Sequence, residues 1–399
     1  MKTSIVRYQP FKALYLLCQL LATMFIRFPT WILLALPSSN RPRKTFTITR
    51  VLLVNSIRFA FQLQETTGPI IVAPDHRAIK AGKGVNGVWV PAANHLVTGN
   101  LKLWAGIAKV NSVRLPGYWH LKNGTSVKPG TPPLPGEKVI YNLHGGAYIR
   151  MSAHPADPTA NIPKGYIQHV ALVQRVFSLE YRLASSAPAV EQYPFPTQLL
   201  DALAGYNYLV QAIGFAPEDI IISGDSAGAN LALALVRYLQ DNASATDVQL
   251  PPGPGGLILL SPWGDMGTSS DNLHSTLNFT NSDYIRNDGG ILYAKKSFCG
   301  PHGLGIADTN EYISPASLKP AIKVDFKGFP RTFLVNGGAE VLYDTILNLR
   351  KRIAQDLGED LEYYEAPDGI HDYICFPLHE PERTDTLKAI NKWVSAKSS

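Results

Sequence analysis

From residue 85 onward, apolar runs of four to seven residues recur along the chain, and the last of each meets Gly, Asn, Ser, Pro or Asp within a few positions. Between them lie longer stretches whose apolar residues fall three and four apart. The short runs predict strands at Gly87 to Val90, Lys138 to Leu143, Val176 to Tyr181, Asp219 to Ser223, Gly256 to Ser261, Arg331 to Asn336 and Leu361 to Ala366. The longer ones predict helices at Thr197 to Ile213, Ala227 to Gln240, Val341 to Leu357 and Arg383 to Ser395. Strands alternating with helices imply an α/β fold, a mostly parallel sheet covered by helices. Segments 38–85 and 265–330 show no steady period and are rich in Gly, Asn and Ser. They are expected to form a helical cap over the C-terminal edge of the sheet, where open α/β sheets hold ligands. This divides the chain into an apolar segment (1–37), an N-terminal cap region (38–85) and a body (86–399) with a cap insertion at about 265–330.

The amino-terminal segment is nearly all apolar from Ala13 to Ile26 and resumes from Trp31 to Leu36, long enough to cross a bilayer. Arg27 sits inside it, at a cost of roughly 2.5 to 3.5 kcal/mol on insertion scales, and Pro29 breaks or kinks a helix. Two shorter interfacial helices and a buried cap helix are therefore competing readings. Pro37-Ser38-Ser39-Asn40 is a poor cleavage site, which argues against a removed signal peptide.

Charge sharpens this picture. The chain has a net charge of +6, yet nine Lys or Arg and no acidic residue fall within residues 1–64. The body is slightly acidic and carries no basic stripe for nucleic acid. A cationic apolar terminus suits anionic lipid headgroups, so membrane association through residues 11–36 is expected. Sequons at Asn123, Asn242 and Asn278 add a modest case for glycosylation and for a catalytic domain facing the lumen of the endoplasmic reticulum, with a cytoplasmic one as the alternative. Cys18, Cys299 and Cys375 are far apart, and no metal-ligand spacing is present, so neither a metal nor another cofactor is expected.

Chemistry concentrates where Ile220-Ile221-Ile222-Ser223 leads into Gly224-Asp225-Ser226-Ala227-Gly228 and then into a helical pattern. A G-x-S-x-G turn between strand and helix exposes its serine in a strained conformation, because small neighbours let chain segments pass closely. Ser226 is the candidate nucleophile. A hydroxyl needs a base, and the attacked carbonyl needs donors for its oxyanion. The strand Lys138 to Leu143 runs into His144-Gly145-Gly146-Ala147-Tyr148, whose turn places Gly145 and Gly146 N–H groups, with that of Ala227, as candidate oxyanion donors. His144 precedes the nucleophile and more simply orients its loop. His371, in Asp368-Gly369-Ile370-His371, follows the last strand and is the candidate base. The strand Arg331 to Asn336 is followed by Glu340 and Asp344, either of which can orient the histidine or simply begin a helix.

At these residues the chain resembles the hormone-sensitive-lipase-like branch of the α/β-hydrolases, which includes microbial carboxylesterases and arylacetamide deacetylase. The likeness rests on His144-Gly145-Gly146-Ala147-Tyr148, Tyr181-Arg182-Leu183-Ala184, Tyr193-Pro194-Phe195-Pro196 with Asp201-Ala202-Leu203, Gly224 to Gly228, Ser261-Pro262-Trp263 and Gly369 to His371, in order across about residues 85–395. It implies an α/β-hydrolase fold and a serine esterase acting through an acyl-enzyme on a carboxylic ester, acetyl esters included, of a lipophilic small molecule such as a sterol or specialised metabolite. Aligning Glu340-Val341-Leu342-Tyr343-Asp344 with the family's Asp-Pro-Leu-x-Asp gives the triad Ser226, Glu340 and His371. The resemblance also implies substrate contacts from Tyr148 and Trp263. Ala147 stands where a third glycine is usual, and Ser185-Ser186 replaces the Pro-Glu that commonly follows the Tyr-Arg-Leu-Ala strand end. Acyl transfer on the same intermediate is the main alternative; a lyase or binding protein that kept the fold is another.

Overall fold

The computed structural model describes residues 5–396 apart from 69, 71–75, 126, 287 and 288. Among the described residues eight strands form one sheet: β1 (Asn86–Val90), β2 (Leu115–Leu121), β3 (Lys138–Leu143), β4 (Val173–Leu179), β5 (Ile220–Asp225), β6 (Gly256–Leu260), β7 (Thr332–Gly337) and β8 (Leu361–Ala366). Their spatial order is β1-β2-β4-β3-β5-β6-β7-β8. β1 and β4 both run antiparallel to β2, and every pairing from β4 to β8 is parallel. β3, β5, β6 and β7 are buried along almost their whole length, as strands covered on both faces must be, which is why their sequences read as unbroken apolar runs. Two apolar clusters, one on each face, hold the helices against the sheet.

Strand β2 carries no clear signal in the sequence. Leu115-Pro116-Gly117-Tyr118-Trp119-His120 breaks its apolar pattern with proline, glycine and histidine. The glycine answers a packing demand: a β-carbon on Gly117 would sit 2.3 Å from the Phe177 ring of β4.

The cap segments are more regular than their composition suggests. Ile48–Thr67 is a 20-residue helix whose N-cap Thr47 accepts a hydrogen bond from the Arg50 N–H. Its period is masked because arginines occupy inward positions. Arg50 is buried against Glu382 at 2.6 Å, and Arg58 Nε donates to the Asp283 carbonyl at 2.9 Å. The insertion contributes a second helix, Gly289–Cys299.

Phe11–Ala35 is a single apolar helix of 25 residues, long and apolar enough to cross a membrane. It runs through Pro29, because the backbone widens by one residue over Thr23–Arg27 and so accommodates the missing N–H and the ring. Arg27 is satisfied from within this helix: its guanidinium donates to Gln19 Oε1 at 2.6 Å and Thr23 Oγ1 at 3.1 Å.

Candidate active site

The site is assembled at the C-terminal ends of β3, β5 and β7 and on the loop after β8. Ser226 follows β5 directly, at the N-cap of the Ala227–Asp241 helix, and adopts φ 51° and ψ −115°, a positive-φ conformation that only close surroundings maintain. Those surroundings are glycines. A β-carbon on Gly224 would lie 2.2 Å from the Gly228 carbonyl oxygen, and one on Gly228 would lie 2.0 Å from that of Leu143. The Ser226 N–H donates to the Leu260 carbonyl at 2.9 Å, and its own carbonyl accepts from the Trp263 N–H at 3.0 Å. The nucleophile elbow is thereby clamped between β3 and β6.

Ser226 Oγ lies 2.9 Å from His371 Nε2, and His371 Nδ1 lies 2.8 Å from Glu340 Oε2. In the tautomer that completes this chain, the hydroxyl donates to Nε2 and Nδ1–H donates to the carboxylate. Glu340 Oε1 accepts from the Gly337 N–H at 2.6 Å and from Ser261 Oγ at 3.0 Å, so both carboxylate oxygens are engaged. Burial lifts the Glu340 carboxyl against the downward pull of its bond to His371, which leaves it at about 7. Burial alone would depress His371, but Asp372 and Glu340 outweigh it and hold the imidazole well above its ordinary 6.5. Both directions favour a proton held within this pair. Asp344 is elsewhere: its Oδ2 accepts from the Ser275 N–H at 2.8 Å in the first turn of the Tyr343–Leu357 helix. Between the two carboxylates left open by the sequence, geometry places Glu340 against the histidine.

The glycine loop requires one correction. The Gly145 N–H supports the buried Asp225 carboxylate, and a β-carbon on Gly145 would lie 2.3 Å from Asp225 Oδ2. Gly145 therefore does not face the cavity. Gly146 and Ala147 line it instead, at φ 109° and φ 55°. The positive φ of Ala147 shows why a glycine is usual at that place and what alanine must tolerate. His144 is fully buried, stacks on Tyr181 with centroids 4.2 Å apart, and has Nδ1 2.7 Å from the Gly145 carbonyl oxygen. It shapes the loop from behind and does not reach Ser226.

Of the two aromatic residues expected to touch substrate, the structure places only Trp263 at the cavity. Tyr148 is buried in the core, stacked on Phe298 at 4.1 Å, with its hydroxyl donating to Asn230 Oδ1 at 2.8 Å. Ala147 and Tyr148 are both at positive φ, 55° and 63°, and the motif alone does not reveal that the second side chain is turned inward.

The cavity above Ser226 has a volume of about 390 Å³. Its walls come from the Ile48–Thr67 helix through Ile57 and Phe61, from Tyr284 and Ile291 of the insertion, and from Trp263 and Phe376. Two acids near the triad escaped the sequence reading. Asp283 is buried and accepts main-chain N–H bonds from Tyr284 at 2.7 Å, Val341 at 2.8 Å and His371 at 3.2 Å. It joins the cap to both triad loops. Asp372 places Oδ2 3.2 Å from His371 Nε2, while its Oδ1 is buried with no hydrogen-bond partner. An acid in an Asn/Ser-rich segment, or one beside a histidine, reads as a turn residue, so neither carried a usable signal.

A strand-to-helix elbow whose serine meets a histidine backed by a buried carboxylate defines a serine hydrolase. The model of the alpha/beta hydrolase fold family matches residues 140–375. The chain is 25% identical over 270 residues to the esterase LipU of Mycobacterium tuberculosis, covering 66% of this chain and 80% of that protein. It is 27% identical over 236 residues to an acetyl-hydrolase of Streptomyces hygroscopicus, covering 59% and 68%. Among solved structures, an esterase from the bacterial hormone-sensitive lipase family superposes with a TM-score of 0.59 at 21% identity, over 88% of this chain and 98% of that one. The chain belongs to the alpha/beta hydrolase fold family and is a carboxylic ester hydrolase.

Proposed function

We propose that this protein is a serine esterase that cleaves an ester of a lipophilic small molecule through an acyl-enzyme on Ser226. The observation that carries the reading is the continuous hydrogen-bonded line from Ser226 Oγ through His371 to Glu340, at 2.9 and 2.8 Å. Ser226 attacks the ester carbonyl as His371 Nε2 takes its proton. Glu340 fixes the tautomer and stabilises the imidazolium that forms. The oxyanion is received by the N–H groups of Gly146 and Ala147, which line the cavity, and of Ala227 at the start of the Ala227–Asp241 helix, where main-chain N–H groups have no partner within the helix. His371 then donates its proton to the leaving alcohol. Water, activated by the same imidazole, attacks the acyl-enzyme, and collapse of the second tetrahedral intermediate returns the proton to Ser226.

The apolar walls favour a lipophilic substrate, and a cavity of about 390 Å³ accommodates a compact acyl or alcohol group rather than two long chains. The acetyl-hydrolase among the relatives supports a short acyl group. The exposed apolar Phe11–Ala35 helix supports association of the enzyme with membranes, from which such substrates partition.

The test is turnover of p-nitrophenyl esters of two to sixteen acyl carbons, together with fluorophosphonate labelling. Labelling confined to Ser226 and a kcat/KM that falls steeply beyond short acyl chains are the expected results. An unlabelled Ser226 in active enzyme would overturn the mechanism, and a preference for long acyl chains would overturn the short-acyl assignment.

A further inference from the structure

The Phe11–Ala35 helix is long and apolar enough to cross a membrane. Its surroundings in the fold point to a different use. One stripe of it, Lys12, Tyr15, Leu16, Gln19, Ala22, Thr23 and Arg27, is half-buried toward the protein. This stripe holds Lys12, Gln19, Thr23 and Arg27, and Arg27 lies 4.0 Å from the ring centroid of Phe59 on the Ile48–Thr67 helix. Contact continues at both ends. Ala35 packs in one cluster with Val51 and Val54, and Arg7 donates to the carbonyls of Glu65 at 2.6 Å and Thr66 at 3.2 Å. The apolar helix therefore lies along the cap helix, antiparallel to it.

The opposite face is exposed and, Thr30 apart, apolar, through Leu14, Leu17, Leu21, Met24, Phe25 and Leu33. It spans roughly half the helix circumference, wider than the narrow seam of a coiled-coil pair. Lys12 lies toward one end of the helix and Lys44 beyond the other, and no acidic residue precedes Glu65.

From this geometry we propose that the helix lies in the plane of one leaflet of an anionic membrane, rather than crossing the bilayer, and seats the cap of the enzyme on the lipid surface. A crossing orientation would carry the packed Ile48–Thr67 helix into hydrocarbon with its Arg50, Asn55 and Arg58, together with the domain those arginines bind. In the plane, the apolar face enters the acyl boundary while the polar stripe stays on the protein, as in other interfacial helices. The same contacts lead from lipid to chemistry: Phe59 adjoins Arg58, which holds Asp283, which holds the main chain of His371. The inference refines the membrane association of the proposed esterase, and its first two measurements need no substrate, so a failure of the esterase reading leaves them intact.

The test uses the full chain and vesicles of phosphatidylcholine and phosphatidylserine at about 3:1. The full chain is expected to float with the vesicles, and the Leu17→Asp/Leu21→Asp/Phe25→Asp variant to do so at least tenfold less, with the same thermal melt. For orientation, Tyr8→Cys and Ser39→Cys, each with Cys18→Ser, report the two ends of the helix; both sites are exposed, while Cys299 and Cys375 are buried. In-plane seating predicts that an impermeant maleimide added outside sealed vesicles labels both sites fully before detergent. One site labelled only after detergent would show a crossing helix and overturn the proposal. A chain that ignores vesicles but dimerises through the same face in sedimentation would overturn it in favour of a second copy. If the first two results hold, the triple variant should retain turnover of a short soluble ester within twofold and lose at least tenfold on an ester presented in vesicles.

Discussion

The floor and the roof of the cavity are held by different forces. Beneath Ser226 main chain packs on main chain: Gly224 against Gly228, Gly228 against Leu143, and the Ser226 N–H on the Leu260 carbonyl. Above it, arginines reach main-chain carbonyls. Arg58 holds those of Asp283 and Thr280, and Arg43 holds those of Pro367 and Gly338, so that the cap is tied down by long side chains spanning more than 200 residues of sequence. The floor has no slack, because a single β-carbon has nowhere to go. The roof hangs on single side chains, so losing one should loosen the cap without collapsing the site, which suits a region that must admit a substrate.

The sharpest test of this contrast lies at the floor. Ser226→Ala removes only a hydroxyl, so the melt should be unchanged while turnover falls on the order of 10⁶-fold, as loss of a triad nucleophile does elsewhere. Residual turnover above about 1% with no labelling would place the nucleophile at another residue. Glu340→Gln should lower kcat/KM by about 10⁴-fold, whereas Asp344→Asn, whose carboxylate serves Ser275, should stay within about tenfold. The reverse outcome would move the acid by one helical turn.

These floor residues were legible in the sequence because their constraints are local. A glycine two residues either side of a serine, between an apolar run and a helical pattern, is a contact requirement written into five positions. What the sequence did not disclose depends on partners distant along the chain. Which N–H of Gly145, Gly146 and Ala147 faces the cavity is decided by Asp225, and the burial of Tyr148 by Phe298 and Asn230. Strand β2 was hidden by the glycine that Phe177 demands, and the Ile48–Thr67 helix by arginines turned inward to Glu382 and Asp283. The roof is where sequence periodicity fails, since its buried face mixes Arg50 and Thr67 with Val51 and Val54.

Asp283 is the joint between the two regions, and a pair of variants separates its two roles. Asp283→Asn leaves its main-chain carbonyl for Arg58 but replaces one oxygen that accepts N–H bonds with a donor, at a cost of about 1 to 3 kcal/mol. Displacement of the His371 loop should then lower kcat on a short ester by about 10²-fold. Arg58→Met keeps the Asp283 side chain and loosens only the roof, so kcat should hold within about threefold while KM rises. Equal losses of kcat in both variants would mean that floor and roof are one rigid unit.

The smallest expected effect concerns Asp372, a charge at the boundary of floor and cavity. His371 Nε2 lies 2.9 Å from Ser226 Oγ and 3.2 Å from Asp372 Oδ2. A neutral imidazole accepts the serine's proton there, while a protonated one donates to Asp372, so the aspartate stabilises the form that cannot act as a base. The other acids around the ring are Glu340 on Nδ1, Asp283 on the main-chain N–H, and Asp225, whose carboxyl is driven upward by burial and by Asp372. Burial lowers His371, and Asp372 is the foremost group raising it, followed by Glu340. Because the base must be unprotonated in the free enzyme, kcat/KM should rise with pH through a limb above the ordinary histidine range. Asp372→Asn removes the foremost raising influence, so the limb should move to lower pH, with the plateau within about threefold of the parent because the Ser226–His371–Glu340 line is untouched. The measurement is kcat/KM on one soluble ester from pH 5 to 10, with melts at each end. A limb that stays in place while the plateau falls would make Asp372 a packing residue and leave Glu340 alone to set the base.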